Sequence, residues 1–225
     1  MTGYAVRYDG AAHTATGTAT GVGGVDLSAG LNLSGTTHSN VGPGIYHDTV
    51  TFTDTTGNYR NTTKFVKDYV SRATATITVT GYAVKYDGTA HTATATAIGV
   101  NGEDLSAGLN LSGTTHTNVG PGIYHDTVTF TDATGNYRNA TKFVKDYISR
   151  ATATITVTGY AVHFDGAAHT ATGTATGVGG VDLSAGLNLS GTTHTNSGTY
   201  IDTVTFTDAA GNYKNATKFV KNFIV

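Results

Sequence analysis

The chain contains no cysteine and no tryptophan. Without thiols there is no disulfide framework and no thiolate metal site. Glutamine is missing too, which excludes an intramolecular Thr–Gln ester. Charge is scarce: 12% of residues are charged, about half the ordinary share. The net charge of −2 and the pI near 6.5 provide no basic field for nucleic acid or anionic lipid. No apolar run is long enough to cross a bilayer. The start of the chain shows no basic stretch followed by an apolar one, so no secretion signal is expected there. Two addresses remain: the cytosol, or a piece of a longer exported protein.

What the chain does contain is repetition, which has to be read before anything else. Gly3-Tyr4, Gly81-Tyr82 and Gly159-Tyr160 stand 78 residues apart. The segment DLSAGLNLSGTTH recurs unchanged at 26–38, 104–116 and 182–194, and DTVTFTD at 48–54, 126–132 and 202–208. One loop differs: NVGPGIYHD, which carries Pro43 or Pro121, becomes the shorter NSGTYID in the third copy. Such a period is too long for a solenoid coil and suits one small domain with its own modest core.

The middle copy is complete and shows the strands. ATATITVT (73–80) alternates small or apolar residues with Thr, the pattern of a half-buried strand. Beyond Gly81 the apolar set becomes Tyr82, Val84 and Tyr86, one residue out of phase. A one-residue slip reverses the buried face, so Thr80-Gly81 is expected to be a bulge or a crossing between sheets. Further strands are expected at 91–100, 109–115 and 122–132, with turns at 86–88 and 133–136. TKFVKDYIS (141–149) also fits a helical face, but its β-branched and aromatic residues favour strand. Six or seven short strands per copy predict an all-β chain: three tandem Ig-like antiparallel β-sandwich domains arranged as an elongated rod. The expected bounds are 1–71, 72–149 and 150–225. The first copy lacks the ATATITV strand, because Met1 occupies the position of Val79 and Val157. The opposite assignment, in which ATATITV completes the preceding domain, stays open.

Several residue sets invite a chemical reading. Tyr46, Tyr124 and Tyr200 each follow a Gly turn and open an alternating strand, the pattern of a tyrosine corner, with an ordinary core Tyr as the alternative. His13, His38 and His47, with His91, His116 and His125, show no metal-like spacing, and copy three has Ile201 at the last position. They are expected as solvated or loop residues. Asp9, Asp48 and Asp54 with Asn58 form the best calcium set, yet no DxDxDG-like run exists, so turn-forming aspartates are expected and no metal. Lys142 or Lys145 with Asn110 and Asp126 offer the residue types of a Lys–Asn amide cross-link. No nucleophile sits in a GxSxG elbow, so no catalytic residue is assigned. Phe143, Lys145 and Tyr147, with Phe65, Lys67, Tyr69 and Phe219, Lys221, Phe223, form an aromatic stripe. Facing outward, it would stack on sugars or pack on a neighbouring chain. Facing inward, it would be core.

VTGYAVKYDGTAHTATA, NSGTYIDTVTFTDAAGNY and the RATATITV junction resemble bacterial immunoglobulin-like surface repeats, in particular the YDG or MBG type of large adhesins. KFVKDYIS is more aromatic and basic than that type. The resemblance implies export to the bacterial cell surface, a multi-domain parent, no cofactor and a spacer or adhesive role. A non-catalytic stalk is the leading expectation. The alternatives are a subunit of an extracellular filament joined by donor-strand or side-by-side contacts, and a carbohydrate-binding array. Expected partners are neighbouring repeats of a longer parent chain, other copies of this chain, or a glycan, with no nucleic acid and no membrane insertion.

Overall fold

A computed structural model describes all residues from Met1 to Val225. The first repeat forms β1 (Ala5–Arg7), β2 (Leu31–Asn32), β3 (Tyr46–Phe52) and β4 (Thr62–Ser71). The second forms β5 (Thr76–Thr80), β6 (Ala83–Lys85), β7 (Thr94–Ile98), β8 (Leu109–Asn110), β9 (Tyr124–Phe130) and β10 (Ala140–Ser149). The third forms β11 (Thr154–Thr158), β12 (Ala161–Val162), β13 (Thr172–Thr176), β14 (Leu187–Asn188), β15 (Gly198–Phe206) and β16 (Ala216–Ile224). Apart from single 3-10 turns there is no helix. The all-β, Ig-like sandwich expected from the alternation is therefore the observed architecture.

Each repeat has one four-stranded sheet, ordered β1-β4-β3-β2, β6-β10-β9-β8 and β12-β16-β15-β14. The second layer is the pair β5-β7 in the middle repeat and β11-β13 in the third. The sheets are not purely antiparallel. β1, β6 and β12 run parallel to β4, β10 and β16, with Ala5 opposite Tyr69 and Ala83 opposite Tyr147. The phase slip at Gly81 marks where the chain changes sheet. β5 lies in one sheet and β6 in the other, so the chain crosses the sandwich between them. A Cβ on Gly81 would collide with the Lys145 carbonyl oxygen, so the crossing passes too close to β10 for any larger residue.

Residues 141–149 are strand, within β10. Val144, Asp146 and Ile148 are buried and the residues between them are exposed, the period of two that one covered face requires.

Contacts divide the chain into two compact units. One holds residues 1–79, 95–111 and 128–142, the other 80–94, 112–127 and 143–225. In the first unit, Ala73, Ala75, Ala97, Phe130 and Tyr137 form a core, with Ile77, Leu105 and Leu109 against it. In the second, Ala151, Ala153, Ala175, Phe206 and Tyr213 do the same, with Ile155, Leu183 and Leu187. The ATATITV segment thus packs with the strands that follow it in sequence. It is anchored at its start as well. The Ala73 amide donates to the Asn136 carbonyl at 2.9 Å, and the Arg138 amide donates to the Ala73 carbonyl at 2.9 Å.

In the first repeat Thr2 bridges Thr16, the counterpart of the Thr158–Thr172 pair at the end of this ladder in the third repeat. Where the second layer would lie there is an open cleft of about 460 Å³. Met1, Ala19, Leu27, Leu31, Phe52 and Tyr59 line it. Ala19 and Tyr59 are half-buried, whereas their counterparts Ala97 and Tyr137 are buried in the core.

Candidate functional site: the aromatic rows and the loop-end networks

Alternation along β4, β10 and β16 sends Val66, Val70, Val144, Ile148, Val220 and Ile224 inward. The stripe residues therefore lie on the opposite, outer face. Phe65 is 81% exposed, Phe143 84% and Phe219 75%. Tyr69, Tyr147 and Phe223 are exposed to a lesser degree. Lys67, Lys145 and Lys221 stand between the rings of each row. Across the ladder, Phe65 is opposite Thr49 and Lys67 opposite His47. In the third repeat Phe219 is opposite Thr203 and Lys221 opposite Ile201. Each row is a flat strip with two ring faces around one ammonium. It can stack on a planar or apolar partner, and its Tyr69 or Tyr147 end borders an open cleft beside the Pro43 or Pro121 loop.

The tyrosines that open β3, β9 and β15 bond back to the loop before them. The Tyr46 hydroxyl donates to the Asn40 carbonyl at 2.8 Å, Tyr124 to Asn118 at 2.6 Å and Tyr200 to Asn196 at 2.8 Å. Their rings stack on His38, His116 and His194 at centroid distances of 3.6 Å. These histidines are not the solvated loop residues expected. His38 Nε2 donates to Asp48 Oδ2 at 2.8 Å, and His116 to Asp126 at 2.8 Å. The expectation of turn-forming aspartates also needs correction at Asp48, which sits on a strand and faces His38. At Asp9 and Asp54 it describes the geometry. Asp9 accepts from the Ala11 amide at 2.9 Å, and Asp54 from the Thr56 and Tyr59 amides at 3.0 and 2.8 Å. Those amides, Thr56 first, lower the Asp54 carboxyl to about 2.

Behind each His–Asp pair lies a group that spacing did not flag. Asp68 and Asp146 are fully buried on the inner faces of β4 and β10. Their Oδ1 atoms accept the Tyr4 and Tyr82 amides at 2.9 Å. Their Oδ2 atoms have no hydrogen-bond partner. Burial, the first cause, raises both carboxyls, and the nearby Asp48 and Asp126 carboxylates add to the rise. His38, Asp48 and Asp68 place one nitrogen and two oxygens within 4.8 Å of one another. The third repeat has Asn222 in the same place, and its Nδ2 donates to Asp202 Oδ2 at 2.6 Å. The only sequence signal was the change from Asp to Asn between KDY and KNF.

Lys145 lies on the outer face of β10 while Asp146 faces in. The Lys145 amine is therefore on the opposite side of the sheet from the inward-facing Asp126, so the form of the cross-link set that uses Lys145 does not converge.

Successive repeats are tied together by asparagines in the hairpin loops. In the first unit, Asn136 Oδ1 accepts from the Val41 amide at 2.9 Å and Asn136 Nδ2 donates to Asn40 Oδ1 at 3.1 Å. Tyr8 packs edge-on against Tyr137 with ring centroids 5.5 Å apart. The second unit repeats this. Asn212 bonds Val119 and Asn118 at 2.8 and 3.1 Å, and Tyr86 packs on Tyr213 at 5.4 Å. Both asparagines are buried, a placement that GN read as an ordinary turn does not suggest.

No family model matches the chain, and no curated protein is significantly similar to it. Solved structures of repeated extracellular domains do match. One is described as PcdhgB3 EC1-4, at 16% identity and TM-score 0.27, covering 95% of this chain and 64% of the other. Sidekick-1 immunoglobulin domains 1–5 match at 15% identity and TM-score 0.28, covering 100% and 59%. Mouse Protocadherin-24 EC1-3 matches at 11% identity and TM-score 0.31, covering 100% and 97%. The chain spans less than two thirds of the first two. Likeness at this level assigns no ligand, partner or activity to this chain.

Proposed function

We propose that the chain is a run of non-catalytic structural repeats from the stalk of a bacterial cell-surface adhesin, displayed outside the cell. The observation that carries this reading is the junction. Between β4 and Ala73 only Arg72 intervenes, and Ala73 is already bonded into the next core. The buried Asn136 and the Tyr8–Tyr137 contact then bridge the same pair of repeats, and Asn212 and Tyr86 repeat the arrangement one period later. A junction built twice from the same residues, without a flexible linker, serves a chain in which copy number sets reach. Small-angle scattering on chains of two, three and four repeats tests it. The maximum dimension is expected to rise by a constant step per repeat. Asn136→Ala with Asn212→Ala is expected to broaden the distance distribution. A dimension independent of copy number contradicts the stalk.

The outer aromatic rows favour a second role on the same scaffold. Phe residues left three-quarters or more exposed in every repeat form a contact surface for another chain or a sugar ring. Replacing Phe65, Phe143 and Phe219 by Ser is expected to abolish concentration-dependent association in sedimentation, or retention on immobilised glycans, without lowering the melting temperature. Unchanged behaviour in both measurements removes this role.

A further inference from the structure

The buried carboxyls of the first two repeats have a counterpart in the third that shows what they hold. Asn222 occupies the place of Asp68 and Asp146 on the equivalent strand. Its Oδ1 accepts the Tyr160 amide at 3.1 Å, as Asp68 Oδ1 accepts the Tyr4 amide. Its Nδ2 therefore stands where Oδ2 stands in the other two repeats, and it donates to Asp202. The site asks for a neutral group with a hydrogen on that atom. An ionised Asp68 cannot supply one. It would place a fully buried oxygen, with no donor in reach, beside a second carboxylate. A protonated Asp68 reproduces the amide's pattern: one oxygen accepts from the backbone, and the other donates to Asp48.

We propose that Asp68 and Asp146 keep their protons at neutral pH and donate them to Asp48 and Asp126, so that two of the three repeats carry a pH-sensitive carboxyl pair. The groups around the pair favour this. Asp48 faces Asp68 from β3, and His38 reaches Asp48 from the segment bridged to His13. Tyr4 covers the pair from the segment before β1, with its hydroxyl donated to the Thr36 carbonyl at 3.2 Å. Tyr46 lies over the His38 ring. His13 is turned to Asp9 at 3.0 Å. Lys67, next to Asp68, points to the outer face. Of these groups only His38 can bring a positive charge near the Asp68 carboxyl, where it opposes the rise, and its Nε2 is held by Asp48. His116, Asp126, Tyr82, Tyr124, His91 and Asp87 repeat the surroundings at Asp146.

A divalent cation in place of the proton fits the distances less well. His38 Nε2 and Asp48 Oδ2 are 2.8 Å apart and bonded to each other. Two ligands of one tetrahedral zinc at about 2.0–2.1 Å would stand about 3.3 Å apart. The third repeat holds the same His–Asp contact at 2.9 Å with an amide where the third ligand would be.

The sign of the linkage is fixed by the direction of the shift. A carboxyl whose folded pKa lies above its unfolded value contributes stability that is complete below the unfolded pKa. That stability is lost as pH rises through the folded one, when the proton leaves to solvent. In the intact chain, carbon-13 NMR is expected to show two side-chain carboxyls titrating well above the usual aspartate range. Both should be absent from D68N/D146N, and a third should appear in N222D. The melting temperature of D68N/D146N is expected to lie nearest that of the parent chain below about pH 4 and to exceed it by a growing margin as pH rises to 8. EDTA at pH 7 is expected to change neither. Asp68 and Asp146 ionising below pH 7 in the intact chain overturns the proposal even if the double variant fails to fold. So does a loss of stability on adding EDTA, which would put a cation in the proton's place.

Discussion

At the scale of single residues, the loop-end network ranks its own members. The Tyr124 hydroxyl donates to one loop carbonyl while its ring covers His116. Removing only the hydroxyl costs one hydrogen bond, about 1 kcal/mol. Removing the ring also uncovers the His116–Asp126 pair. Tyr124→Phe is therefore expected to lower the stability of its repeat by about 1 kcal/mol in denaturant titration, and Tyr124→Ala by clearly more. Equal losses would mean that the stack contributes nothing. Asp54 behaves differently. Its carboxyl is lowered to about 2 by amide donors, so its contribution is present above the unfolded value and lost as pH falls from about 4 towards 2. Asp54→Ala is expected to destabilise the first repeat at pH 7 and to be silent at pH 2. A penalty that persists at pH 2 would locate the effect in packing. Of these roles, the tyrosine and the Asx turn are visible in sequence, because each depends on neighbours within a few residues. Asp68 is not, because its partner lies on another strand and its neutral state depends on burial.

At the scale of elements, the pattern of apolar residues carried most of the fold. The switch in phase at Gly81 predicted a bulge or a crossing between sheets, of which the structure has the crossing, and the alternation in 141–149 outweighed its helical reading because one face is buried and the other wet. The parallel pairing of β6 with β10 left no such mark. Alternation records which face is covered, not the direction of the neighbour. The junctions were likewise illegible: Asn136 looks like any turn asparagine until the preceding repeat's loop is placed against it. Two substitutions separate these elements. Gly81→Ala forces a Cβ into the Lys145 carbonyl and is expected to cost about 2 kcal/mol or more, with β6 losing protection in hydrogen exchange. Asn136→Ala is expected to cost about 1–3 kcal/mol through the unpaired Val41 amide, with protection lost in the 40–44 loop. If β6 stays protected in the first variant, the crossing tolerates a side chain and the reason offered for its glycine fails.

For the molecule as a whole, the same slot is filled in two repeats and open in the first. In the third repeat Ile155 pairs with Ala175 and Val157 with Gly173, so the apolar side of the segment lies on β13 and closes the core. In the first repeat Ala19, Leu27, Leu31 and Tyr59 line an open cleft of about 460 Å³ instead. The backbone is prepared as well, since Asn58 and Arg60 correspond to the residues that bind Ala73 through Asn136 and Arg138. An extended RATATIT segment, which ends where Met1 begins, has the side chains and the backbone pattern to occupy that cleft, antiparallel to residues 18–20, in the manner of strand addition to a sheet edge. Added to the 225-residue chain as a synthetic peptide, it is expected to raise the lowest thermal transition with peptide concentration. It should also slow hydrogen exchange at residues 18–20 and 58–60. RATATDT, which sets a carboxylate against the apolar floor, is expected to do neither. If both peptides act alike, or neither acts, the cleft does not select a strand, and the pairing seen in the other two repeats depends on covalent continuity rather than on the fit of ATATITV to its slot.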